Sequence, residues 1–452
     1  MEVARQNILI IGAGKSGIAT SKFLAEKSSN VFLYDAKSKE ELKEIEKEIT
    51  SHGVKAIFGI SLDVESLNLD LVVVSPGVPL TIPVIVQAKD LRIPVISEIE
   101  LAFSYSNSPF IAITGTNGKT TTTALCGQIF QDAQKKVLVG GNIGNPLISE
   151  VTDYGQEDFV IAETSSFQLE SVQDFKPQVS VILNLTPDHL DRHKTMEEYI
   201  RCKANIFKAQ DENDFLILNY DDLLVRKLAK DAKSKVIFFS RNIKLEKGIY
   251  LEKEDIYANL DSWPIYICKK SDIRIKGNHN LENAMAAIAA ALSVGIEIPV
   301  IVKTLKDFPG VNHRLEPVIE IQGVTYINDS KGTNPDASIK ALEAFNQPII
   351  LIAGGRNKGS DFSEFANKIK CKVKEIVLVG EAKEEIKNAV INVHFNNYHL
   401  VDTFKEAVYQ AFKLASKGDV VLLSPACASW DMFNSYEERG DYFKELVIAL
   451  RR

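Results

Sequence analysis

Short apolar runs that stop at glycine or polar residues recur along the chain, and most are followed by stretches whose apolar residues return at helical spacing. Asn7-Ile-Leu-Ile-Ile11 runs into Gly12-Ala-Gly14-Lys-Ser-Gly17, an alanine-containing helical stretch and a second run, Val31-Phe-Leu-Tyr-Asp35. Leu69–Val74 stops at Ser75-Pro-Gly-Val-Pro79, and Phe110–Ile113 stops just before Gly115, after which Leu125, Ile129 and Ala133 keep helical spacing. Phe159–Glu163 and Val179–Asn184 are two further apolar strands with polar ends, and a helix is expected around Met196–Lys208. Asn280–Val294 is an alanine-rich helix, and strands follow at Thr325–Asn328, Pro348–Ala353, Glu375–Gly380 and Asp419–Leu423. This alternation predicts parallel α/β layers.

Breaks in the pattern divide the chain. Arg92-Ile-Pro94 and Ser104-Tyr-Ser-Asn-Ser108 bracket a helix containing Ile99, and Asp307-Phe-Pro-Gly-Val-Asn-His-Arg314 is turn-rich enough for a hinge. With 452 residues, and roughly 100–200 residues to a domain, three domains are expected: 1–96, 97–309 and 310–452. The first and third should be Rossmann-like, and the central one a P-loop ATPase-like parallel sheet. No internal repeat or low-complexity tract interrupts them.

Composition narrows the setting. A charge of −7 argues against nucleic acid or an anionic membrane as the main partner. No run approaches the roughly 18 apolar residues of a spanning helix, and Arg5-Gln6-Asn7 leads straight into a strand with no secretory leader, so a cytoplasmic protein is expected. The five cysteines, Cys126, Cys202, Cys268, Cys371 and Cys427, contain no CxxC pair, so neither a disulfide framework nor a structural zinc site is indicated.

The chemistry concentrates at loop positions. Ile111-Ala-Ile-Thr-Gly-Thr-Asn-Gly-Lys-Thr-Thr121 reads as a shortened phosphate loop: its glycines let successive N–H groups turn inward, and the following helix adds its positive end. Lys119 is expected on the β- and γ-phosphates, and the Thr120 hydroxyl on the accompanying magnesium. Glu163, at the end of a neighbouring strand, would complete the metal shell. Thr186-Pro-Asp-His-Leu-Asp-Arg-His193 adds a second dense polar segment, followed by Lys203 on the next helix. The Gly12-x-Gly14-x-x-Gly17 turn with Asp35 downstream is a weaker sign of a nucleotide, because glycines also serve a bare βα turn. Two nucleotide-like loops on separate domains, with a loop-rich third domain behind a hinge, suit an enzyme that joins two substrates using ATP.

Five segments in order, Gly115-Thr-Asn-Gly-Lys-Thr120, Ser165-Ser-Phe-Gln168, Asp188-His-Leu-Asp-Arg192, Asn328-Asp-Ser-Lys331 and Ser424-Pro-Ala-Cys-Ala-Ser429, resemble the motifs of the Mur ligases, and the resemblance spans all three domains. Within that family it is strongest to the branch that adds D-glutamate to UDP-N-acetylmuramoyl-L-alanine, through an acyl phosphate, in peptidoglycan synthesis. It implies ATP and two Mg²⁺ as cofactors, a monomer, and no nucleic-acid or membrane partner. By the same resemblance Gly14, Lys15, Ser16, Asp35, Lys37, Ser75, Gly77 and Asn142 would meet the UDP-sugar. Gly115, Thr116, Asn117, Gly118, Lys119, Thr120, Thr121, Thr122, Asn142, Arg314 and Asp329 would meet ATP. Thr120 and Glu163 would hold one magnesium, and His189 with Lys203, a lysine carbamylated in the family, the second. Lys119, Glu163, His189 and Lys203 would carry catalysis, with Lys331 close to the third-domain site. Thr333, Lys358, Ser429, Trp430 and Tyr436 would meet D-glutamate, Trp430 and Tyr436 standing where some members have Leu and Phe. Lys15, Ser16, Ala36 and Lys37 likewise depart from some members.

Other readings share parts of this pattern. A folylpolyglutamate synthase also combines such a loop with a lysine and an acid at metal, although Ser165-Ser-Phe-Gln168 and the Ser-Pro-Ala-Cys-Ala run disfavour it. A nicotinamide-dependent oxidoreductase would rest on the first glycine turn alone, and a non-catalytic nucleotide switch on the phosphate loop alone.

Overall fold

Three sheets organise the computed structural model, which describes residues 6–27, 30–260 and 263–451, Asp191 by its backbone only. The first holds β1 (Asn7–Ile11), β2 (Asn30–Asp35), β3 (Lys55–Phe58), β4 (Leu71–Val74) and β5 (Val95–Ser97) in the order β3-β2-β1-β4-β5, parallel throughout. The unbroken Ile/Leu/Val runs of β1 and β4 are buried on both faces, as central parallel strands require. Strand order reverses between β1 and β4, so the turns after them flank a crevice of the kind that receives ligands in open α/β sheets.

The central sheet contains β6 (Phe110–Thr114), β7 (Val137–Gly141), β8 (Phe159–Glu163), β9 (Val179–Ile182), β10 (Phe215–Asn219), β11 (Lys235–Ser240), β12 (Gly248–Glu252), β13 (Asp255–Asn259) and β14 (Ile265–Lys269). Its order is β14-β13-β12-β11-β10-β9-β6-β8-β7. From β7 to β12 the pairings are parallel, whereas β12, β13 and β14 form an antiparallel meander. The sheet is therefore mixed where the sequence pattern predicts a parallel one. The cause is local: Lys253, at φ 59°, closes a tight turn between β12 and β13 where a crossover helix would otherwise be needed. Helix Asn278–Ser293 is buried from Ala284 through Ala291, and its small side chains let it lie within the core against helix Lys119–Asp132.

The third sheet runs β15 (Glu316–Ile321), β16 (Val324–Asn328), β20 (Val420–Leu423), β17 (Ile349–Gly354), β18 (Val373–Val379), β19 (Tyr398–Leu400), with β15 the antiparallel edge. The three layers are tied by polar contacts. Arg192 Nη2 donates to Val78 O at 3.0 Å, joining the first domain to the central one. Across the other junction Asn117 Nδ2 donates to Asp336 Oδ2 at 2.5 Å, and Lys358 Nζ to Asp188 Oδ1 at 3.1 Å, so the third domain is closed against the central one. Among the described residues no helix is long and apolar enough to cross a membrane.

Candidate active site

The phosphate loop leaves β6 and turns into helix Lys119–Asp132 at Gly118, whose φ of +88° is unfavourable for a side-chain-bearing residue. A Cβ there would lie 2.3 Å from Asn283 Oδ1, so glycine is required by space as well. The loop is clamped from β9: Asn184 O accepts from Thr116 N at 2.9 Å, and Asn184 Oδ1 accepts from Asn117 N at 2.8 Å. Lys119 Nζ folds over the loop onto the carbonyls of Gly115 (3.0 Å) and Thr116 (2.8 Å). Burial lowers its pKa, against the opposing pull of Glu163 and Asp188.

Glu163 ends β8 next to the loop. It is buried; Oε1 accepts from Asn142 Nδ2 at 2.9 Å, while Oε2 has no hydrogen-bond partner. An unsatisfied buried carboxylate oxygen is costly unless a cation completes it, and a carboxylate that lines one cleft with the Thr120 hydroxyl is the oxygen donor set that magnesium takes. The residues present thus fit the expected metal. His189 reaches the same cleft from a left-handed backbone position, φ 54°, with the Asp188 carboxylate 3.7 Å from Nε2. Lys203 is almost completely buried behind the loop, its Nζ donating to Gly115 O at 2.8 Å and lying 3.3 Å from Thr114 Oγ1. Burial, reinforced by Lys119, holds its pKa well below the ordinary lysine value.

A cleft of about 750 Å³ joins these groups to the third domain. Thr116, Asn117, Gly118, Lys119, Thr120, Thr121, Asn142, Glu163 and His189 line one side; Arg314, Lys331, Thr333, Lys358 and Tyr436 line the other. Lys331 Nζ donates to the Tyr436 hydroxyl at 2.8 Å and packs over its ring. Asp188 carries a lowered pKa: burial opposes ionisation, but Lys358, His189 and Lys119 outweigh it. Several expected contacts lie outside this lining. Gly115 and Thr122 shape the loop from behind, Thr122 bonding to Gly118 O. Asp329 is fully enclosed, accepting from Ser424 Oγ and Leu315 N with Arg314 3.7 Å away, so it positions Arg314 and does not face the cleft. Ser429 is buried, and Trp430, 59 % exposed, stands outside.

The first-domain residues divide in the same manner. Asp35 and Gly77 line a separate pocket of about 500 Å³ with Gly12, Tyr34, Leu62 and Pro79, while Lys15 reaches the central cleft beside Asn142. Asp35 accepts from Ala13 N (2.8 Å) and Lys37 N (3.0 Å), and the buried Ser75 hydroxyl donates to Gly12 O at 3.1 Å. These two residues hold the turns in shape. Gly14 and Lys37 are exposed and Ser16 partly so, and none of the three lines the pocket.

Other contributors become visible only in three dimensions. Asn184 clamps the loop, and Asp336 latches the domains by accepting from both Asn117 and Thr186. Arg439, buried, donates to Ser330 Oγ and to the carbonyls of Ser330 and Cys427, binding two third-domain loops together. A cavity of about 540 Å³ continues from the cleft past Thr121 and Arg314, walled by Ile275, Asn280, Pro309, Leu315 and Phe345. Asn334 caps helix Pro335–Glu343, its side chain accepting from Ala337 N, and a capping residue followed by proline and acid is the local sequence signal that could have located Asp336.

A phosphate loop, a buried metal-type carboxylate and cationic groups from a second domain around one cleft define a nucleotide-dependent ligase. The Mur ligase MurD-like N-terminal domain matches residues 6–97, the Mur ligase middle domain 113–291, and the Mur ligase glutamate ligase domain 313–427. The chain is 51% identical over 451 residues to UDP-N-acetylmuramoylalanine–D-glutamate ligase of Pelotomaculum thermopropionicum, covering 100% of this chain and 99% of that one. It is 50% identical to the protein of the same name from Alkaliphilus oremlandii, over the whole of both chains. The crystal structure of UDP-N-acetylmuramate-alanine ligase from Thermotoga maritima has the same fold, with a TM-score of 0.60 at 21% identity, over 99% of this chain and 100% of that one. The chain belongs to the Mur ligase family.

Proposed function

We propose that this protein joins D-glutamate to UDP-N-acetylmuramoyl-L-alanine with cleavage of ATP, in the cytoplasm and as a monomer, in the synthesis of peptidoglycan precursors. Full-length relatives of that name support the substrates. The observation that carries the chemistry is Glu163 Oε2, buried without a partner at the edge of a cleft that also holds Lys119 and the third-domain cations.

A carboxylate does not accept an amine directly, because an oxide is too poor a leaving group. In this reading an oxygen of the L-alanine carboxylate attacks the γ-phosphorus of ATP, the bond to ADP breaks, and an acyl phosphate forms. The amine of D-glutamate then attacks the acyl carbon and inorganic phosphate leaves, the amine's proton passing to solvent or a nearby base. Two anions meet in the first step, so positive charge must sit between them. Lys119 provides part of it, and the N–H groups of the loop and helix start provide more. Thr120 and Glu163 would hold one Mg²⁺, and His189 with a carbamylated Lys203 a second; bound magnesium supplies charge neutralisation on the transferred phosphoryl group. Lys203 suits that modification because a desolvated, neutral amine has the lone pair that carbon dioxide requires, whereas an ammonium has none.

The adjoining apolar cavity beside Arg314 and Asn280 would take the nucleoside of ATP. Lys358 and Thr333 would read the glutamate carboxylates from the third-domain side, and closure of that domain onto Asn117 and Asp188 would exclude water from the acyl phosphate. The pocket of the first domain, with Asp35 and Gly77, would hold the uridine end, and Lys15 would face the diphosphate.

The decisive assay is a matrix of UDP-N-acetylmuramoyl-L-alanine against each amino acid, scored by phosphate release and product mass. Release with D-glutamate alone, and a product heavier by one glutamyl residue, is the expected result. Equal release with another amino acid, or with the sugar nucleotide omitted, would overturn the assignment.

A further inference from the structure

Beside the Phe167 ring, three side chains from separate segments converge. Glu170 follows the short helix Ser166–Leu169, His193 ends helix Leu190–His193, and Cys202 lies in helix Met196–Ala204. One donor atom from each lies within 4.8 Å of the other two. His193 is 97% buried on a 3% exposure, and its two ring nitrogens differ in environment. Nε2 pairs with Ser166 Oγ at 2.9 Å, whereas Nδ1 has no hydrogen-bond partner and points toward Glu170 Oε1, 3.5 Å away. The ring is fixed between Phe167, stacked at 5.4 Å, and Tyr199.

We propose that Glu170, His193 and Cys202 form a binding site for a thiophilic divalent cation of the zinc class, separate from the magnesium positions of the cleft.

The donor chemistry is specific. A thiol, an imidazole and a carboxylate are the mixed soft and borderline ligands that zinc accepts and magnesium does not. Each has its orienting partner. In the tautomer whose Nε2–H donates to Ser166 Oγ the lone pair lies on Nδ1, and Arg192 holds Glu170 Oε2 at 2.7 Å, leaving Oε1 turned to the site. Burial, with Glu170 and Glu198 beside it, pushes the Cys202 thiol up to about 12, so the free site keeps its proton and the metal must displace it: the S–H bond breaks, the proton leaves to solvent and a sulfur–metal bond forms. Thiolate and carboxylate together then balance a divalent charge. Bonds of about 2.0–2.3 Å to a tetrahedral ion bring ligand atoms roughly 3.3–3.7 Å apart, so the trio must contract by about 1 Å. Glu198 Oε1, 3.8 Å from Cys202 Sγ, borders the fourth position. The trio escapes a sequence search because it contains no CxxC or HxxxH spacing, only positions 170, 193 and 202 brought together by the fold.

The test is a cobalt(II) titration of the full-length protein in excess Mg²⁺. Because no cleft donor is a sulfur, a sulfur-to-cobalt charge-transfer band in the near ultraviolet reports this site alone. The expected result is such a band saturating at one ion per chain, displaced by Zn²⁺, abolished in Cys202→Ser and Cys202→Ala, and requiring at least tenfold more cobalt in His193→Gln. Cys371→Ser, which removes the exposed thiol, should leave the band unchanged. Far-ultraviolet circular dichroism establishes that each variant is folded. Absence of the band in the wild-type protein, or its persistence in folded Cys202→Ser, would overturn the proposal.

Discussion

Two glycine-rich turns, Gly12–Gly17 after β1 and Gly115–Lys119 after β6, look alike in sequence and serve different ends. In the first, Gly12 and Gly17 answer to packing: a Cβ on Gly17 would fall 1.9 Å from Gly12 O and one on Gly12 2.9 Å from Val78 Cγ2, whereas Gly14, at φ −83°, has nothing within 4 Å. The acid downstream, Asp35, accepts from Ala13 N of the glycine turn and from Lys37 N of its own. In the second, the backbone is equally constrained, but a lysine opens the helix and a buried carboxylate with a vacant oxygen faces it from the adjacent strand. Glycines make a backbone able to approach phosphate; the charged groups brought in by other strands decide whether it performs phosphoryl chemistry.

Substitution of the lysines gives the widest separation between the two turns. Lys119→Ala should lower kcat by at least about 10³-fold, since it removes a cation from a water-poor phosphoryl-transfer site, and should leave affinity for the UDP-sugar nearly intact. Lys15→Ala should change the UDP-sugar KM by less than about tenfold and kcat little. Steady-state kinetics on both variants checks this, and equal losses in kcat would erase the distinction.

Lys203 sharpens the second turn further. Lys203→Ala should lose about 10²-fold or more in kcat, with partial recovery in formate or acetate, which replace the missing anion. Lys203→Arg should stay inactive, because guanidinium keeps the positive charge and forms no carbamate. Measured activity in the arginine variant would show that the site wants a cation there.

The smallest expected effect is on stability. Gly118→Ala should cost at least about 2 kcal/mol, combining a left-handed backbone with the approach to Asn283. Gly14→Ala, in open space at a negative φ, should stay within about 0.5 kcal/mol. Urea unfolding of both variants measures the difference.

The sequence carried the sheets and the loop better than the contacts that hold them. Apolar runs ending in glycine or polar residues placed β1, β6, β8 and β16 because a strand buried on both faces leaves a continuous hydrophobic trace. Glu163 was legible as an acid at a strand end beside the phosphate loop. The β12–β14 meander was not, since polar residues interrupt its strands and Asp255–Asn259 is buried only alternately, so no continuous apolar run marks it. Asn184 and Asp336 were illegible for another reason: their partners on the loop lie 67 and 219 residues away, and no local period encodes such a pairing. The buried places of Asp329 and Ser429 follow from the packing of third-domain loops around Arg439, a residue that reads in sequence as an ordinary surface charge on a terminal helix.

The proposed reaction turns on phosphorylation of the L-alanine carboxylate itself in the cleft. Oxygen-18 placed in that carboxylate, followed through one turnover with ATP and D-glutamate, measures this at the level of an atom. Direct phosphorylation of the carboxylate predicts one labelled oxygen in the released inorganic phosphate for each doubly labelled carboxylate consumed; phosphate released without label while ligated product accumulates would contradict it.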